Sequence, residues 1–93
     1  MINIKLKIRM ITQKAFKELY NVDIDMSEIR IQKTNERYDG DFTLILIPLI
    51  KYSKKSIEET EKDIGDYLLK NLSEVEKYNI TWNLILYVIP KKI

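Results

Sequence analysis

Between Lys33 and Phe42 the chain sets cations, an amide and aromatic rings around a glycine: Lys33, Asn35, Arg37, Tyr38, then Gly40 and Phe42. Looped RNA is recognised by stacking unpaired bases on aromatic rings and by hydrogen bonds to base edges, while Lys and Arg meet the phosphates. The same residues also suit a plainer role, in which Tyr38 and Phe42 pack a sheet and Gly40 supplies a positive φ in a turn. Spacing leaves both readings open. A second cluster, Lys51, Tyr52, Ser53, Lys54 and Lys55, has the look of a phosphate-holding loop. The histidine-containing motif that accompanies such loops cannot exist here, so these are surface lysines ahead of a helix. Acidic pairs such as Glu59 with Asp63, or Asp63 with Asp66, sit opposite an apolar stripe and read as a solvated helix face, not as hydrolytic or metal-binding carboxylates. Without cysteine or histidine there is no thiolate nucleophile, no imidazole base and no cysteine zinc site. The expectation is a chain with no catalytic, cofactor or metal site of its own.

Charge is distributed unevenly although the net value is only +2. Lys5, Lys7, Arg9, Lys14 and Lys17 meet only Glu18 over residues 1–20, whereas Glu58, Glu59, Glu61, Asp63, Asp66, Glu74 and Glu76 outweigh Lys62 and Lys70 over residues 56–76. A basic end and an acidic stretch follow, and the acidic stretch would repel phosphate.

The elements that must position these groups can be read from periodicity. Residues 2–10 alternate like a strand, but Ile4, Ile8, Ile11, Ala15 and Leu19 follow helical spacing through good helix formers, so a helix is expected from Asn3 to Tyr20 with Asn21 at its exit. Ile29 to Lys33 reads as a short strand, residues 34–40 as a polar loop, and Asp41 to Ile47 as a second strand followed from Pro48 to Tyr52 by a helical turn. Ser56 and Glu59 fit a capping box, and Ile57, Ile64, Leu68 and Leu72 make one apolar stripe on the helix that follows. Val75 to Ile80 and Leu84 to Ile89 are two further strands at hairpin spacing. The order α-β-β-α-β-β predicts an α+β two-layer sandwich, with a four-stranded antiparallel sheet covered by helices on one face.

Ninety-three residues hold one domain, residues 1–93, with a small core. The first residues lack the apolar run of a signal peptide and no stretch is long enough to cross a membrane, so a cytoplasmic protein is expected. The strongly apolar Leu84 to Ile89 run is expected at an open sheet edge, where a second copy of the isolated chain could pair with it.

Two blocks carry a family resemblance. Ile31, Gln32, Lys33, Thr34 and Asn35, then Gly40, Asp41, Phe42 and Thr43 through Pro48, Leu49, Ile50 and Lys51 form the first. Ser53, Lys54, Lys55, Ser56, Glu58, Glu59, Thr60, Ile64, Gly65, Asp66, Tyr67 and Leu68 form the second. Together they resemble the N-terminal additional domain of arginyl-tRNA synthetase, in particular the Bacteroidetes type. The resemblance implies a tRNA-binding domain that contacts the D-loop at the corner of arginine tRNA. The catalytic and anticodon-binding domains that use ATP and magnesium would lie elsewhere in the enzyme, and no DNA or membrane partner is implied. On that basis Lys33, Arg37 and Lys51 are the expected phosphate partners, Tyr38 or Tyr87 the stacking surfaces, and Asn35 and Phe42 their neighbours. The chain departs from the family where Gly, Phe, a branched residue and Asn are usual: it has Asn83, Leu84, Ile85 and Leu86. Asn83 or Tyr87 would then supply the polar group. The rival expectation is a free-standing relative that has lost RNA binding and presents its exposed sheet to a protein.

Overall fold

The computed structural model describes residues 3–34, 41–81 and 84–88. Helix α1 runs Ile4–Tyr20, and its first turn is closed by the Asn3 side chain, which accepts from the amides of Lys5 (2.9 Å) and Leu6 (3.3 Å). Asn21 ends it in the left-handed region at φ 56°, with its amide and that of Val22 meeting the carbonyls of Lys17 and Phe16. Asn tolerates that conformation better than any β-branched residue would. Ile8, Thr12, Ala15 and Phe16 form the buried stripe of the helix. The alternating Ile4, Leu6, Ile8 and Met10 therefore lie in a helix and not a strand, because the longer 3.6-residue stripe buries more.

After a 3₁₀ turn at Met26–Glu28, strands β1 (Arg30–Lys33) and β2 (Phe42–Ile45) pair antiparallel. A second 3₁₀ turn, Ile47–Leu49, carries Pro48 and leads into the one-turn helix α2 (Ile50–Ser53). Lys54 then reverses the chain at φ 58°. Helix α3 (Ile57–Asn71) starts on Ser56, whose hydroxyl oxygen accepts from the Glu59 amide at 3.1 Å. The Glu59 carboxylate accepts from that same hydroxyl at 3.2 Å. The cap forms on the two predicted residues, with a side-chain to side-chain return contact. Strands β3 (Lys77–Thr81) and β4 (Leu84–Val88) complete a four-stranded, wholly antiparallel sheet in the order β1-β2-β4-β3.

Both long helices pack against each other and cover one face of the sheet. Strand alternation puts the buried Ile31, Leu44 and Ile85 in one row on the helix side, and exposed Lys33, half-buried Phe42, buried Tyr87 and half-buried Tyr78 in the next. Arg30, Gln32, Thr43, Ile45, Leu84, Asn79 and Thr81 occupy the opposite face. The α+β two-layer reading holds, and so does its strand count.

One expectation is overturned. The described part of the apolar run, Leu84–Val88, is not an edge: β4 lies between β2 and β3 and is hydrogen-bonded along both sides, so it offers no ladder to a second copy. A run this apolar suits a central strand, and the edges fall to β1 and β3, which carry Arg30, Gln32, Lys33 and Lys77.

Candidate nucleic-acid interface

Lys33 and Phe42 are register partners at the end of β1 and β2 that leads into residues 35–40. Lys33 is exposed although strand alternation puts it on the helix-facing side of the sheet, while Phe42 is half-buried against the core. The end of the hairpin is tied by the Thr34 and Thr43 hydroxyls at 2.8 Å and by the Thr34 amide donating to the Asp41 carbonyl at 3.0 Å. The Asp41 amide reaches across to the Tyr87 carbonyl at 2.8 Å. Asn35, Arg37, Tyr38, Gly40 and Asn83 lie outside the described residues.

Tyr87 corrects the reading of it as a stacking surface. Its side chain is 0% exposed, its ring centroid sits 6.1 Å from that of Tyr78, and its hydroxyl donates to the Ile64 carbonyl at 3.4 Å. Burial pushes its phenol pKa well up. No base can reach a ring whose faces are already packed.

Lys51 is exposed on α2, with its Nζ 5.1 Å from the Tyr52 ring centroid. It does not join Lys33. Lys51 lines a cleft of about 320 Å3 together with Ser27, Glu28, Arg30, Ile45 and Pro48. Arg30 and Ile45 are register partners at the far end of the hairpin from Lys33 and Phe42. Three residues of strand separate Arg30 from Lys33, roughly 10 Å at about 3.3 Å per residue. The two cations selected in the sequence thus serve opposite ends of the hairpin, and the cation that accompanies Lys51 is Arg30. The sequence held a signal for it: flanked by Ile29 and Ile31, which are both buried, Arg30 had to point the other way.

The acid in the cleft is already engaged. The Tyr52 hydroxyl donates to Glu28 Oε1 at 2.6 Å, and that bond raises the Tyr52 pKa. The same pairing of phenol and carboxylate recurs through the molecule. Tyr20 donates to Asp63 at 3.0 Å, Tyr78 to Asp66 at 2.7 Å, and Tyr67 to Glu18. Desolvation and the neighbouring carboxylate push Tyr67 and Tyr78 up to about 12. Asp63 also accepts from Lys55 at 3.3 Å.

The acidic face of α3 is therefore only partly the solvated surface its spacing suggested. Glu58 and Glu59 are exposed, but Asp63 and Asp66 fasten tyrosines of other elements. Glu61 is buried at 5% exposure, with its Oε2 lacking a hydrogen-bond partner. Burial and the nearby Glu58 raise its carboxyl pKa. Periodicity gave no warning of this, because a helix face shades from exposed to buried within one residue's 100° step.

A second cleft, about 390 Å3, opens where α1 meets the end of α3, lined by Lys7, Met10, Ile11, Asn71, Leu72, Ser73 and Glu74. An ion pair between Lys7 and Glu74 spans it, and the Lys7 ammonium holds the Glu74 carboxyl below its usual range. Among the described residues, no cluster of three or more acidic side chains is placed to hold a metal ion, and no helix is long and apolar enough to cross a membrane.

Sequence comparison decides the family. An arginine–tRNA ligase from Parabacteroides distasonis is 42% identical over 66 residues, which is 71% of this chain and 11% of that protein. The chain is a homologue of one domain of arginyl-tRNA synthetase. The arginine–tRNA ligases of Phocaeicola vulgatus and Bacteroides fragilis are 37% and 33% identical over 78 residues, in each case 13% of the relative's length. The chain thus spans about an eighth of the synthetases it matches. No protein-family profile and no solved structure matches it. As a synthetase domain it is a ligase part in which, among the described residues, the candidate cations are Lys33 at one end of the first hairpin and Arg30 with Lys51 at the other.

Proposed function

We propose that this chain is a tRNA-binding domain of arginyl-tRNA synthetase, that it contacts the D-loop at the corner of arginine tRNA, and that it thereby supports attachment of arginine in the cytoplasm. The observation that carries this reading is the 42% identity to an arginine–tRNA ligase over 71% of the chain. The exposed cations along the β1–β2 hairpin are consistent with it. Arginine, ATP and magnesium would be handled by other domains, and the contribution of this one is positional. Holding one region of the tRNA raises the effective concentration of the rest at the remaining domains. Binding by this chain alone should be weak, since a few phosphate contacts on a net charge of +2 give little attraction at physiological salt.

The test is a titration of the chain with arginine tRNA at about 50 mM salt, read by NMR amide shifts and repeated at higher salt. Shifts concentrated on the β1–β2 hairpin that weaken as salt rises are the expected result. An absence of shifts at millimolar RNA overturns the reading and leaves a protein-binding role for the sheet face opposite the helices, on which Ile45 and Leu84 are half-buried.

A further inference from the structure

We propose that the cleft formed by Ser27, Glu28, Arg30, Ile45, Pro48 and Lys51 binds a phosphodiester of the RNA backbone, and that Tyr52 keeps it competent by holding Glu28 away from the two cations. The inference rests on the tRNA-binding reading and gives it a location at the opposite end of the hairpin from Lys33. Four observations carry it.

The cleft, at about 320 Å3, falls within the size of small-ligand sites and suits a single nucleotide unit. It joins two exposed cations to an apolar wall of Ile45 and Pro48, the combination that meets a phosphate and the sugar or base edge beside it. Arg30 and Lys51 form no ion pair among the described residues, where the three ion pairs are Lys7 with Glu74, Lys17 with Asp23 and Lys55 with Asp63. Glu28, the one carboxylate among the described residues that line the cleft, is bonded at 2.6 Å to the Tyr52 hydroxyl.

That last bond gives the site its logic. A free Glu28 beside Arg30 and Lys51 would pair with them and occupy the place of a phosphate. Tyr52 stands next to Lys51 on α2, and its hydroxyl fixes the Glu28 carboxylate where, among the described residues, it pairs with neither cation, leaving both to an incoming anion. Tyr52 is in this sense a positioning residue. It acts on the RNA through Glu28.

The experiment measures arginine tRNA binding by the chain as a function of salt, in the wild type and in R30Q, K51Q, Y52F, Y52F with E28Q, and K62Q. Each of R30Q and K51Q should weaken binding several-fold at about 50 mM salt and lower the slope of log K against log salt by about 0.7 to 0.9, the worth of one phosphate contact. Y52F should weaken binding as well, and adding E28Q should restore it, a rescue that a merely structural role for Tyr52 would not show. K62Q, on the exposed side of α3, should leave affinity and slope unchanged. Wild-type binding with unaltered slopes in R30Q and K51Q overturns the cleft while the tRNA reading stands. No wild-type binding overturns both. Inorganic phosphate that shifts the cleft amides as strongly as tRNA at equal concentration overturns the assignment to RNA.

Discussion

Glu61 is the residue whose chemistry is most at odds with its surroundings. Its carboxylate is buried with one oxygen unpartnered, and burial together with Glu58 raises its pKa above the ordinary 4.5. Below about pH 4.5 the side chain is neutral in folded and unfolded chains alike and favours neither. As pH climbs through the raised folded value, the unfolded chain releases its proton more readily and the fold loses stability. Glu61→Met keeps the volume and helix propensity but removes the charge. It should stabilise the chain at pH 7 by about 1 kcal/mol, seen as a melting temperature roughly 4–8 °C higher. The gap from wild type should close as pH falls towards 4, and a constant gap in melting scans across that range would show that folding leaves the Glu61 pKa unchanged. Tyr87 teaches the converse lesson. Its ring was an attractive stacking surface in sequence, yet the register that pairs it with Phe42 and Tyr78 puts it under the helices.

At the level of elements, Gly65 decides how closely α3 approaches β3. A Cβ there would lie 2.5 Å from Cε2 and Cζ of Tyr78, whose ring is fixed by its bond to Asp66 and by Tyr87 behind it. Ala is the better helix former by about 1 kcal/mol, but the overlap should cost about 1–3 kcal/mol. Gly65→Ala should therefore lower stability in urea unfolding, whereas the same change in a Tyr78→Ala background should raise it. Equal effects in both backgrounds would separate the two residues.

The helices themselves were legible in advance. Asn3, Asn21 and Ser56 announce ends that local hydrogen bonds alone can fix, and the stripe of α1 outlasts its competing two-residue alternation. Strand existence was legible too, to within two residues at most ends. Strand order was not. Whether Leu84–Val88 is an edge or a centre depends on where the β2-to-β3 crossing lands, and only long-range packing sets that. The same limit applies to the candidate site. Exposed cations can be picked from alternation, but that Lys51 joins Arg30 and not Lys33 follows from the position of α2 against the hairpin.

Across the whole molecule the phenol–carboxylate pairs join elements far apart in sequence: α1 to α3 twice, α3 to β3, and the turn before β1 to α2. With a single core shared by both layers, no part has an independent set of contacts. Unfolding should be one transition. Far-UV circular dichroism and near-UV tyrosine signals should trace the same urea curve, with a slope of about 1 kcal/mol per molar urea. Separate midpoints would mean that the helical layer and the sheet come apart in stages.

The central place of β4 bears on how this chain is made. It is the last of the described elements to be synthesised, yet it joins β2 to β3. Until it leaves the ribosome, β2 shows a bare edge and β3 has no neighbour. The nascent chain can assemble its helices and first hairpin early, but the sheet closes in a single late step, when the most apolar strand enters a gap already framed on both sides. That timing hides the stretch most prone to self-association almost as soon as it appears.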